Sequence, residues 1–399
     1  MTSPVLSRVL LGAFVVGLGF SITLSETTLA LLTLLWLWRL RDAEARRAQT
    51  WPLWAPVLAF SALSLLSALA SGHVAQSLAA SKGLLLTAAL YVMANALEDA
   101  ATADRFLSGI GLAAAGAALI GLVQVAACPV PEPSGGLARW LFHRCDRARA
   151  LFSIYMTLAG VLNLALLALL PRLLPGGGVR LGWLPAWLVS LGGLVATYTR
   201  GAWIGFAAGA LSLLPTLPRG RWWIPAGLLL VVLAAATGPY ELSNRVRHML
   251  DPSESGIQER RHMWTSGLAM WKERPLLGWG PGGVKREYER YALPEAHKKR
   301  TGHVHNTPLQ ILVERGLLGL AAWVAIWIAF YTRAVGLLRR FGAASARERT
   351  LVAGSLAAIT GFLVAGLSEY NFGDAEVVML AWALMALPYS AERGLAATG

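Results

Sequence analysis

Apolar residues fill this chain in long runs separated by short polar steps. A helix crossing a bilayer core needs about 17–25 predominantly apolar residues. Runs of that kind recur near 5–23, 25–38, 52–70, 77–97, 104–126, 150–170, 181–198, 201–215, 222–237, 305–332, 350–367 and 375–390. The pattern predicts an all-α polytopic membrane protein of about 12 transmembrane helices. The first run has no small-residue cleavage signature and reads as an uncleaved helix rather than a signal peptide. The thinnest separation is Thr199-Arg200-Gly201, between the seventh and eighth runs. One long polar stretch, 238–304, interrupts the series. It divides the chain into helices 1–9 (1–237), a loop subdomain (238–304), and helices 10–12 with a short tail (305–399).

Composition agrees with this reading. The chain is 56% hydrophobic and 14% charged, where an ordinary globular domain carries about 25% charged residues. A nucleic-acid binder and a disordered tail are thereby excluded. The charges are lopsided, 35 Lys+Arg against 22 Asp+Glu, for a formal net charge of +13. With the N-terminus in the cytoplasm, basic residues concentrate in the short cytoplasmic segments, in clusters such as Arg39, Arg41, Arg46 and Arg47, or Arg333, Arg339, Arg340, Arg347 and Arg349. The short outer segments hold only Arg139, Arg144, Arg147, Arg149 and Arg200. This asymmetry predicts cytoplasmic N- and C-termini and a large periplasmic loop between helices 9 and 10. His73, His143, His248, His262, His297, His303 and His305 then all fall outside. So do the two cysteines, Cys128 and Cys145, in the outer loop 127–149. A disulfide between them suits an oxidising periplasm, with two free thiols as the alternative.

The outer arginines run against the orientation rule, so they call for another use. Arg147 and Arg149 stand at the mouth of the sixth span and Arg200 at the lip of two helices. Guanidinium groups match phosphate oxygens bidentately, which points to an anion site; anchoring to lipid headgroups is the blander explanation. In the long loop, 254–273 reads as a helix with Met263, Gly267 and Met270 on one face and Arg260 and Arg261 one turn before it. The turn-rich 274–283 (RPLLGWGPGG) follows.

The last outer element is TGHVHNTPLQILVERGLLGL, 301–320. Asn306 is the expected N-cap, with Pro308 in the first turn. His305 then sits at a helix N-terminus, where positive potential favours the neutral imidazole that a general base requires. His303 and His305 also have the form of a metal pair, but a metal site needs three or four ligands and no acidic cluster of suitable spacing lies nearby. Glu314 and Arg315, roughly 13–15 Å further along the helix, are expected to pair with other polar groups. The acidic loop SEYNFGDAE, 368–376, offers salt bridges to the arginines or, the explanation preferred from sequence, a cap for the last helix through Asp374.

These residues resemble a known family. His305, Asn306, Gly316 and Gly319 match every defined position of the His-[Asn/Ser/Gln]-X9-Gly-X-X-[Gly/Thr/Tyr] signature of the O-antigen ligases (WaaL), within the wider O-antigen ligase and polymerase superfamily. Thr199-Arg200-Gly201-Ala202 resembles the family's Ser-Arg-Gly-Ala step. Arg147 to Phe152 resembles Arg-X-X-Gly-X-Phe, with Ala150 in place of Gly. Arg260 with Trp264, followed by Pro275 to Gly280, resembles Arg-X-X-X-Trp…Pro-Leu-X-Gly-X-Gly. The resemblance covers residues 199–320 specifically and the rest loosely.

The resemblance implies a multi-pass protein of the bacterial inner membrane with its active site facing the periplasm. It implies an inverting, metal-independent glycosyltransferase without cofactors. The donor is an O-antigen glycan on undecaprenyl pyrophosphate and the acceptor a sugar hydroxyl of lipid A–core, as in lipopolysaccharide maturation. His305 and Arg200 are the expected catalytic residues, and Arg147, Arg149, Arg260, Arg261, His303 and Asn306 the expected substrate contacts. An O-antigen polymerase of the same superfamily is the nearest alternative. A transporter of an anionic lipid-linked sugar is the alternative of another class; it would place more polar residues or broken helices at mid-membrane than the deep set Lys82, Glu314 and Arg315.

Overall fold

The computed structural model describes residues 4–129, 134–174, 180–217, 222–238, 240–248, 251, 254–342 and 345–396. Arg219, Arg221 and Pro239, on which parts of the orientation and loop reading rest, lie outside them. The described residues are helical with no strand. In chain order the helices that build the bundle are α1 (Pro4–Phe20), α2 (Ile22–Arg39), α3 (Trp54–Leu69), α4 (Val74–Ala96), α5 (Ala100–Ala126), α6 (Tyr155–Leu173), α7 (Leu181–Ala196), α8 (Arg200–Leu211) and α9 (Trp223–Thr237). Then come the loop helix α10 (Ser255–Glu273), and α11 (Thr307–Arg340), α12 (Ala346–Ala365), α13 (Ala375–Met385) and α14 (Leu387–Ala396). By length and composition five of them, α4, α5, α6, α11 and α12, are long and apolar enough to cross a membrane, and several shorter apolar helices accompany them.

Helices α6 and α12 form the centre. Every residue from Val161 to Leu169 is buried, as is every residue of α12 from Thr350 to Ile359. Helix α8 lies against α12 through a stripe of small residues. A Cβ on Gly205 would fall 2.5 Å from the Gly361 carbonyl, and one on Gly209 2.6 Å from the Ala357 carbonyl. Small residues at four-residue spacing let helix backbones touch where lipid gives no hydrophobic drive. The first glycine of that stripe, Gly201, abuts Ser368 and Glu369 at the end of α12. The stripe thereby brings Arg200, at the start of α8, to the loop between α12 and α13.

Helix α11 is broken. Gly316 has φ 65° and ψ −171° inside it, a conformation open essentially to glycine alone. The break lets the turn-rich backbone of 275–280 dock into the gap. Trp279 N–H donates to the Val313 carbonyl at 3.0 Å and Gly280 N–H to that of Glu314 at 2.9 Å. Leu317 N–H donates to the Pro275 carbonyl at 2.8 Å. Gly319, one turn on, leaves room for the Arg315 side chain. Around the break Glu314 and Arg315 pair with each other at 3.2 Å, and Arg315 Nε donates to Ser64 on α3 at 3.0 Å. These are the polar partners expected from sequence.

Candidate active site

His305 stands just before α11 with φ 49°, a left-handed conformation unusual for a non-glycine residue. Its position is held from both sides. Asn306 caps α11, its Oδ1 accepting from Leu309 N–H at 2.8 Å, while its Nδ2 donates to the Leu367 carbonyl at 2.9 Å. Thr307 N–H donates to the Gly366 carbonyl at 2.7 Å and its hydroxyl to the Glu369 carbonyl at 2.9 Å. Upstream, Val304 N–H donates at 2.9 Å to Gln310, which in turn holds Glu314 at 3.0 Å. The motif helix and the α12–α13 loop are thus stitched together at the backbone, and the imidazole is presented from that seam.

The Glu369 carboxylate is the hub. One oxygen meets His305 Nδ1 at 3.0 Å and the other pairs with Arg260. All three side chains are largely withdrawn from solvent. A carboxylate held by a guanidinium accepts only, so the proton of His305 that meets Glu369 is on Nδ1, and a ring carrying that single proton keeps its lone pair on Nε2. From sequence the acidic loop was expected to act by capping. Asp374 does cap α13, accepting from Val377 N–H, and also accepts from Thr157 at 2.5 Å. The other reading, salt bridges to the arginines, holds for Glu369, four residues past the end of α12, whose contacts are made by tertiary packing and carry no local signature.

His303 lies edge-on to His305, ring centres 4.3 Å apart. Burial first, and His305 beside it second, push its imidazole down to about 4, so it is neutral at physiological pH. It lines a cavity of about 260 Å3 with Asn163, Thr199, Glu369, Tyr370 and Asp374. His303 Nδ1 and Asn163 Oδ1 are buried without a hydrogen-bond partner. A buried polar atom left in this way marks a place for an additional polar group.

The remaining candidates divide. Arg200 pairs with Glu254, just before α10, and donates to the His248 carbonyl at 3.0 Å, with Gly201 behind it against Glu369. Arg147 lies 4.4 Å over the Tyr155 ring and 3.7 Å from Asp146, beside Ile154 and Met156, which line the same cavity as His303. Arg149 donates to the Phe152 carbonyl at 3.3 Å. Arg261 is exposed, on a different face of α10 from Arg260. The Cys128 and Cys145 sulfurs are joined, with Cα atoms 5.5 Å apart. This ties the end of α5 to the segment that carries Arg147, whose neighbour Ala148 donates to the Ala196 carbonyl at 2.9 Å. His73 reaches Glu287 of the long loop at 3.3 Å, on the same end of the bundle. Among the described residues no group of three or more His, Cys, Asp or Glu is gathered to hold a metal ion.

No curated protein matches the sequence. Residues 185–324, the stretch that carries Arg200, Arg260 and His305, match the family model described as O-antigen ligase, Wzy_C. Over that stretch, about a third of its length, the chain is similar to the O-antigen ligase family.

Proposed function

We propose that the protein is an O-antigen ligase of the inner membrane that works at the periplasmic face. It moves a glycan from undecaprenyl pyrophosphate to a sugar hydroxyl of lipid A–core. In this reading His305 Nε2 takes the proton of the acceptor hydroxyl as its oxygen attacks the anomeric carbon. The bond from that carbon to the pyrophosphate breaks, the pyrophosphate leaves with the electron pair, and the configuration inverts. Arg260, Arg200 and Arg147 hold the leaving pyrophosphate by fixed positive charge. Glu369 orients the base, and Asn306, Arg149 and His303 shape the seam around it. The observation that carries the proposal is the Glu369 bridge between His305 and Arg260. It ties the proton acceptor and an anion-binding group to one carboxylate.

The test is reconstitution with purified lipid-linked glycan and lipid A–core, with and without chelator. Wild type is expected to form product in both conditions, and His305→Ala in neither. Activity lost to chelator alone would refute the metal-independent chemistry. Lengthening of the donor glycan without lipid A–core would assign the polymerase reaction instead.

A further inference from the structure

A second cavity, about 900 Å3, lies at the end of the bundle away from His305, between α1, α2, α4 and α5. Its mouth carries Arg8, Arg39 and Arg105, all on exposed positions. Arg39 reaches Ser7 at 3.2 Å and Arg105 reaches Thr102 at 3.0 Å, which holds one guanidinium between α2 and α1 and the other on α5. Glu98 is the one carboxylate among the described lining residues, and it also faces Arg393. Below the mouth the walls are apolar: Leu11, Val15 and Phe20 from α1, Leu35 from α2, Phe106 and Leu112 from α5. From Ser7 to Phe20 the shaft runs about 20 Å at helical rise.

We propose that this cavity binds an anionic glycerophospholipid of the surrounding leaflet, its phosphodiester between the three arginines and one acyl chain down the shaft. Basic pockets between membrane helices recognise lipid headgroups in this way. The depth fits: one leaflet supplies about 15 Å of hydrocarbon, half of a core about 30 Å thick. A polyprenyl chain, several leaflets long, overruns a shaft of that depth. The shaft is also open where a side chain can be added. A Cβ on Gly12, which lines it, meets nothing within 4 Å.

The experiment uses the purified full-length protein in detergent and reads lipid retention by native mass spectrometry. It offers phosphatidylglycerol, phosphatidylcholine, a polyprenyl phosphate and inorganic phosphate. Wild type is expected to retain phosphatidylglycerol over phosphatidylcholine. Each of Arg8→Gln, Arg39→Gln and Arg105→Gln is expected to lower that affinity about fivefold. Gly12→Phe, which fills the shaft and leaves the charges in place, is expected to expel the lipid without lowering the unfolding temperature in lipid-free detergent. It carries the test if the arginine variants do not fold. Equal retention of the two phospholipids, or full retention by Gly12→Phe, overturns the proposal. So does a preference for polyprenyl phosphate, or inorganic phosphate competing as well as the lipid.

Discussion

A neutral histidine is a general base only through the nitrogen that has no proton, and Glu369 selects which one that is. Replacing it with glutamine keeps the shape and removes the demand for a proton on Nδ1. Glu369→Gln is expected to lower the transfer rate roughly 10²–10⁴-fold, the range for losing an aligned base, with little change in donor affinity when kcat and KM are measured separately. Arg260→Lys keeps the charge but not the fork, and is expected to raise KM for the donor more than it lowers kcat. His303 gives a stability signature. Its imidazole lies near 4 in the fold and near 6.5 in an unfolded chain, so between those values the unfolded state binds more protons. Stability is therefore complete above about pH 6.5 and falls as pH drops toward 4. Thermal unfolding across that range should show the slope in wild type and a shallower one in His303→Gln. His305 and Arg260 were legible because a helix-start motif and an arginine in the second turn of an amphipathic helix leave local traces. Glu369 is one acid in a loop of several, and only the packing of α11 against α12 singles it out.

Apolar runs locate most of the helices to within about five residues, since a run must end where polar residues resume; α11 runs on to Arg340, eight residues past the end of its run. What the runs do not contain is the break in α11, because apolar residues resume directly after Glu314-Arg315-Gly316. The glycine in the motif was readable; its backbone angles were not. A Cβ there would fall 2.1 Å from the Leu276 carbonyl, and the conformation itself costs about 1–3 kcal/mol for other residues. Gly316→Ala is therefore expected to lower the unfolding temperature and the transfer rate together. Gly12→Ala, a helical glycine facing open space, serves as the control and should be neutral or stabilising. The glycine stripe on α8 was likewise present in the sequence as Gly201, Gly205 and Gly209, but its partner helix emerges only from tertiary packing.

At the scale of the molecule the lopsided charge separates by location. Arg172, one of the basic residues that orientation assigns to the cytoplasmic side, is fully buried against Asp104 at 2.7 Å, with Arg180 on the other carboxylate oxygen. It serves packing between α5 and α6 as well as topology. At the opposite end the arginines surround the His305 seam and the Cys128–Cys145 link. Closing a loop of that length stabilises by about 3 kcal/mol. Reductant is accordingly expected to lower the unfolding temperature of wild type and to leave a Cys128→Ser/Cys145→Ser variant unchanged.

The docking of 275–280 into the gap at Gly316 also decides where this protein can be cut and rejoined. The long loop does not end where the next helix begins, because its backbone completes the hydrogen bonding of that helix on both sides of the break. A chimaera that exchanges 238–304 alone with a relative would pair one protein's plug with another's socket. Moving 238–320 as a unit keeps them together, and the boundary for any such graft falls inside the membrane helix rather than at its end.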